Sequence, residues 1–110
     1  MDFIQEDKGN VQIISMKSDL VADNVSDLKE ALAGLLAAEK KNIVIDMGGM
    51  NYIDSSGLAA LISKLNEFRK KKGDVRLASM NNTVRNIFDV TFLSSLFKIY
   101  PSVDEDCKDF

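Results

Sequence analysis

The sequence predicts an α/β fold: a mixed, mostly parallel β-sheet with an N-terminal hairpin, packed against about three to four α-helices. Short runs of β-branched residues alternate with longer segments that repeat leucine or phenylalanine at helical spacing, which is typical of parallel strands joined by right-handed crossovers. The chain has 110 residues, of which 45% are hydrophobic and 28% charged. This is enough apolar material for one core, so we expect a single domain spanning residues 1–110.

The chain begins with a predicted hairpin, in which residues 3–7 and 11–16 are strands and Lys8-Gly9-Asn10 is the turn. A helix follows, with several leucines on one face. Its candidate N-caps are Asp23, Asn24 and Ser26.

The central part is predicted to be a buried strand, a loop and a long amphipathic helix. Ile43-Val44-Ile45 is a continuous β-branched run, which suits a strand buried on both faces. After the loop at residues 47–53 a helix begins near Asp54. Its apolar face carries Leu58, Leu61, Ile62, Leu65 and Phe68, and its polar face carries Ser63, Lys64, Asn66, Glu67 and Lys70.

The C-terminal part is predicted to be a strand at residues 75–78, a third helix and a last short strand near Ile99. Asn81, Asn82 and Thr83 are the candidate caps of the third helix. We expect the acidic segment at residues 102–110 to be a frayed tail.

Composition excludes several function classes. The formal net charge of -3 disfavours nucleic-acid binding, and the absence of histidine removes the commonest general base and metal ligand. We therefore expect no catalytic residue, metal or cofactor. Cys107 is the only cysteine, so no intrachain disulfide forms, and we interpret it as a bystander thiol. The first residues lack a signal peptide, and no apolar run approaches the roughly 18 residues of a membrane span, which predicts a cytoplasmic protein without a membrane partner.

The segment Asp54-Ser55-Ser56-Gly57 admits two interpretations. Aspartate and serine at a helix start cap unpaired backbone N–H groups, so a purely structural role is sufficient. A serine there also lies at the positive end of the helix dipole, where a phosphate would change the surface charge without unfolding the helix.

Two stretches carry a resemblance to a known family. Ile43-Val44-Ile45-Asp46, followed by Tyr52-Ile53-Asp54-Ser55-Ser56-Gly57-Leu58, resembles the core signature of STAS domains, in particular of bacterial anti-sigma factor antagonists. Residues 82–93 resemble the family's third helix and the turn after it. In one run the sequence departs from the family pattern, because Ser18-Asp19-Leu20-Val21 has serine and valine where members often carry glycine and aspartate.

The resemblance implies a partner-switching protein. Such an antagonist binds an anti-sigma factor, a serine kinase of the histidine-kinase-like ATPase fold, and is released when the kinase phosphorylates it; a phosphatase resets the cycle. The acceptor would be Ser56. The partner-binding residues would be Asp54, Ser55, Ser56, Gly57, Leu58, Ala60, Asp23 and Asn24.

Other interpretations of the sequence remain open. A serine hydrolase would need a Gly-x-Ser-x-Gly elbow and a base, and only a serine–lysine pair using Lys64 is conceivable. Nucleotide binding at Gly48-Gly49 lacks a phosphate-binding motif. The chain would also suit a protein-binding STAS subunit of a stress-signalling complex or a lipid-transport ABC system. Met47 and Met50 suit either core filling or an adaptable contact surface.

Overall fold

The structure is a computed structural model that describes residues 2–110, with the Asp109 side chain left out of the description. It contains five strands and four helices. In chain order they are β1 (Phe3–Lys8), β2 (Val11–Met16), α1 (Val25–Ala37), β3 (Asn42–Asp46), α2 (Ser55–Lys70), β4 (Asp74–Ala78), α3 (Asn82–Val90), β5 (Ile99–Tyr100) and α4 (Val103–Asp109). The predicted fold class is confirmed; residue 1 of the predicted 1–110 domain lies outside the described residues.

The five strands form one sheet in the order β1-β2-β3-β4-β5. Strand β1 is antiparallel to β2, and the remaining neighbours are parallel. Because β2, β3 and β4 run in the same direction, the loops that follow them meet at one edge of the sheet. At the sides, β1 is an edge strand with mostly exposed polar side chains, and β5 has only two residues.

The core lies mainly between the sheet and helices α1, α2 and α3. Its largest fully buried side chains include Phe68 of α2 and Phe88 of α3, with Ile14 and Ile45 beneath them. A smaller apolar cluster on the opposite sheet face is covered by α4. Val44 and its neighbours in β3 are fully buried, which confirms the prediction of a central strand enclosed on both faces.

The C-terminal segment corrects one prediction, because it forms helix α4 instead of a frayed tail. Asp106 in this helix is fully buried, and its Oδ1 lies 4.0 Å from Nη1 of Arg76 in β4. The Phe110 ring lies over the same guanidinium, with 3.8 Å from Cζ to the ring centroid. Ser102 caps the helix by accepting a hydrogen bond from the Glu105 N–H at 3.2 Å. The segment is ordered by Arg76, which a local sequence pattern does not reveal.

Lys64 corrects a second prediction, since it was placed on the polar face of α2. The residue is only 9% exposed, and its Nζ lies 3.1 Å from Oε2 of Glu67. A lysine can bury its aliphatic stem while its amine reaches a partner at the surface. Among residues 2–110, no helix is long and apolar enough to cross a membrane.

Candidate protein-binding surface

The segments after β2 and β3 form one surface at the carboxyl edge of the sheet. We call residues 18–24 and 51–60 the acidic surface, because they contain Asp19, Asp23 and Asp54 and no lysine or arginine. Leu20 and Ile53 form a parallel β-bridge between the two segments. Backbone hydrogen bonds join Leu20 N–H to Tyr52 O at 3.3 Å and Asp54 N–H to Leu20 O at 3.1 Å.

Asp54 is the N-cap of α2 and also binds the neighbouring loop. Its Oδ1 accepts a hydrogen bond from the Gly57 N–H at 2.9 Å, which satisfies one of the unpaired donors at the helix start. Its Oδ2 accepts from the Ala22 N–H at 3.0 Å. One carboxylate therefore fixes the start of α2 relative to the loop before α1.

Asp19 makes the reciprocal connection. Its Oδ1 accepts hydrogen bonds from the backbone N–H groups of Asn51 at 2.8 Å and Tyr52 at 3.1 Å. The two segments are thus joined by a carboxylate from each side. Charge-assisted hydrogen bonds are stronger than neutral ones, so these contacts stabilise the packing of the two segments against each other.

Asn24 supports this loop from within. It occupies the N-cap position of α1 but makes no side-chain cap hydrogen bond. Instead, its Oδ1 accepts from the Val21 N–H at 3.0 Å and its Nδ2 donates to Asp19 O at 2.7 Å. The residue predicted as a cap or contact therefore holds the loop in shape, whereas its neighbour Asp23 is exposed.

The serines of the segment lie in the first turn of α2, after the cap. Ser55 is exposed and Ser56 is half-buried. The helix start is capped by the carboxylate of Asp54 and not by either hydroxyl. Neither serine hydroxyl is therefore needed as the N-cap of α2.

Three other predicted contact residues lie deeper. Leu58 is half-buried, while Gly57 and Ala60 are buried, so a partner approaching from solvent does not reach the last two directly. A Cβ at Gly57 would lie 2.8 Å from Leu20 O and 2.7 Å from Cγ1 of Ile53. Glycine is needed there so that the loop can pack against the helix.

Two residues at this edge were not predicted as part of the site: Tyr52, which lies within the acidic surface, and Asn81, which lies beside it. Tyr52 is 51% exposed and stands directly before Ile53 and Asp54. Asn81 caps α3 by accepting from the Val84 N–H at 2.9 Å, and its Nδ2 donates to Met50 O and to Asn51 Oδ1, both at 3.0 Å. The position of Tyr52, an aromatic residue in a polar loop, could have indicated a contact residue from the sequence. The contact of Asn81 with a residue 30 positions earlier has no such local signal.

The geometry also decides two of the open interpretations. Met47 and Met50 are fully buried, so both fill the core. The amine of Lys64 pairs with Glu67, and at 1.5 Å per residue it lies about two helical turns from Ser56, beyond the reach of a base. Among the side chains that the structure describes, no group of three or more cysteine, aspartate or glutamate residues is placed to hold a metal ion.

The surface thus combines acidic loops joined by hydrogen bonds with one exposed and one half-buried serine. The family model of the STAS domain matches residues 3–106, and the chain therefore belongs to the STAS domain family. Two curated relatives are BtrV of Bordetella bronchiseptica, 26% identical over 76 residues, and the anti-sigma F factor antagonist of Paenibacillus polymyxa, 29% identical over 66 residues. These matches cover 69% and 60% of this chain, and 66% and 54% of the two relatives.

Solved structures share the fold. A crystal structure of a Thermotoga maritima protein superposes with a TM-score of 0.92 at 22% identity, covering 97% of this chain and 92% of the other. The phosphorylated form of SpoIIAA from Bacillus superposes with a TM-score of 0.77 at 16% identity, covering 97% of each chain. At these identities the likeness establishes the fold.

Proposed function

We propose that this protein is an anti-sigma factor antagonist whose acidic surface binds an anti-sigma factor and is released from it by phosphorylation of Ser56. The observation that carries the proposal is that the Asp54 side chain caps α2, so the adjacent serine hydroxyl groups are not needed as its N-cap. The proposal is supported by the Paenibacillus polymyxa relative, which is named an anti-sigma F factor antagonist, and by the SpoIIAA fold, which is known in a phosphorylated form.

A phosphate on Ser56 would change the binding surface more than the fold. It would add about -1.5 to -2 charges at pH 7 beside the unpaired N–H groups of the first helical turn, which tolerate an anion. The acidic surface contains no lysine or arginine to neutralise it, and Asp54 and Asp23 add to the negative charge. The phosphate therefore remains available to repel an anionic group of the partner or to displace a packed contact.

The partner that fits this scheme is an anti-sigma factor that is itself a serine kinase of the histidine-kinase-like ATPase fold. It would transfer the γ-phosphoryl group of ATP to the Ser56 hydroxyl, releasing ADP and the hydroxyl proton, and a phosphatase would hydrolyse the ester.

The experiment measures binding of Ser56→Asp and Ser56→Ala to the anti-sigma factor kinase encoded in the same genome, by titration calorimetry. We expect Ser56→Ala to bind like the unaltered chain and Ser56→Asp to bind at least about tenfold more weakly, since like charge at an interface can cost several kcal/mol. Ser63→Asp is the matched control: it adds the same charge to an exposed position of α2, away from the acidic surface.

Three outcomes decide the matter. Equal binding of the two Ser56 variants would show that Ser56 is not the switch. Equal weakening by Ser63→Asp would show a general charge effect. Recovery of a transporter ATPase or a stress-signalling complex in place of a kinase, in a pull-down from native cells, would assign the surface to another STAS system.

A further inference from the structure

The three helices that precede β3, β4 and β5 end in the same way. Each ends with a residue at positive φ, which is Glu39 (60°), Lys72 (68°) or Phe92 (61°). In each case the next N–H bonds to the carbonyl oxygen five residues earlier, at 2.9 Å for Lys40 to Leu35, 2.8 Å for Gly73 to Phe68 and 2.8 Å for Leu93 to Phe88. This is the Schellman helix end, whose left-handed position is usually glycine.

Phe92 differs from the other two residues in what its side chain does. Glu39 and Lys72 present charged groups to water, whereas the aromatic side chain of Phe92 is 85% exposed, and Val90 beside it is 64% exposed. A bulky residue in the left-handed region costs conformational energy, and exposing its ring adds an unfavourable hydration term. An outlier that is unfavourable on both counts points to a function.

This end of the molecule also carries a net positive charge, although Lys40 pairs with Asp7 and Arg69 with Asp74. The segments at the starts of the parallel strands and around Phe92 (residues 7–11, 38–42, 66–74 and 90–98) contain eight lysine or arginine and four aspartate or glutamate residues. The Arg69 guanidinium donates to Leu96 O at 3.0 Å, so the basic end of α2 lies against the loop that follows Phe92. In a chain with a net charge of -3, the positive charge is concentrated at the edge opposite the acidic surface.

We propose that this basic end is a reversible contact site for the surface of a bilayer that contains anionic lipids. Phe92 and Val90 would enter the headgroup region, while the lysines at positions 70–72 and Lys98 would lie near lipid phosphates. Interfacial binding increases with the apolar area that enters the headgroup region and with electrostatic attraction to anionic lipids, and this end of the molecule offers both. The sequence predicted no membrane partner because no segment is apolar enough to span a bilayer. Contact with the bilayer surface does not require such a segment. The acidic surface, repelled by the same lipids, would face away from the bilayer.

The first experiment is sedimentation with vesicles of phosphatidylcholine and phosphatidylglycerol in a molar ratio of about two to one, with pure phosphatidylcholine as the comparison. The chain is expected to bind only the anionic vesicles and to be released by salt. Phe92→Gly should lower binding about tenfold or more through the loss of the inserted ring, whereas Glu39→Gly, the same backbone change at the same kind of helix end, should not lower it.

A second experiment tests the orientation. Because the chain has no tryptophan, Phe92→Trp and Tyr52→Trp each introduce a single fluorophore at opposite ends of the molecule. Anionic vesicles should shift the emission of the first to the blue and leave the second unchanged. Failure of the unaltered chain to sediment with anionic vesicles, or equal binding by Phe92→Gly, would overturn the proposal.

Discussion

Gly57→Ala tests whether the acidic surface depends on close packing between α2 and the loop before α1. A Cβ at this position would meet Leu20 O at 2.8 Å, Leu20 Cγ at 3.0 Å and Ile53 Cγ1 at 2.7 Å. The carbonyl cannot retreat freely, because it accepts the Asp54 N–H at 3.1 Å. Overpacking costs about 1–3 kcal/mol and alanine regains about 1 kcal/mol of helix propensity, so we expect a net loss of up to about 2 kcal/mol in the free energy of unfolding.

Gly34→Ala is the matched control, because Gly34 lies within α1 and a Cβ there meets nothing within 4 Å. It should stabilise the protein by about 0.5–1 kcal/mol through helix propensity alone. Urea unfolding with an unchanged m-value measures the change in free energy of unfolding for each variant. The two urea midpoints should move in opposite directions by up to about 1 M. A rise of the midpoint for both variants would refute the packing argument.

Three further predictions concern other parts of the chain. Tyr52→Ala should weaken partner binding without lowering the urea midpoint, because the exposed ring packs against little while Asp19 holds the backbone; calorimetry and urea unfolding together check this. Lys72→Gly should raise the free energy of unfolding by about 1 kcal/mol by relieving the left-handed backbone, and an unchanged or lower midpoint would contradict this. The Ser94 hydroxyl and then Arg85 lower the pKa of Asp89, so the stability this carboxylate contributes is present above its unfolded pKa and is lost as the pH falls through the lowered value. Asp89→Asn should therefore be less stable than the unaltered chain at neutral pH, and the two should converge in acid unfolding curves.

The parts of the fold that depend on local patterns were predictable from the sequence. Local pattern alone indicates a buried strand at the β-branched run of residues 43–45 and a buried helix face at the apolar spacing of α2. The structure has both elements. Helix α4 was not predictable, because its order depends on Arg76 of β4, whose guanidinium lies against Asp106 and Phe110. The acidic composition of this segment, taken alone, predicts that it is exposed to solvent.

The candidate surface was predictable as a segment but not as an assembly. The spacing of Asp54, Ser55 and Ser56 indicated a helix start. It did not reveal that Asp54 would cap alone, or that its second oxygen would bind a loop 32 residues earlier in the chain. Such contacts arise from the parallel arrangement of β2 and β3, which brings distant residues together at one edge.

The two edge strands of the sheet limit the ways in which this protein can associate with other chains. An unpaired strand can recruit a strand from another chain and so lead to aggregation. Here β1 presents a run of polar and charged side chains from Gln5 to Lys8, and β5 at the other side is only two residues long. Sheet extension is thereby disfavoured on both sides. On the proposed function this is an advantage, because associations would be confined to loops and helices, where a single added charge could reverse them.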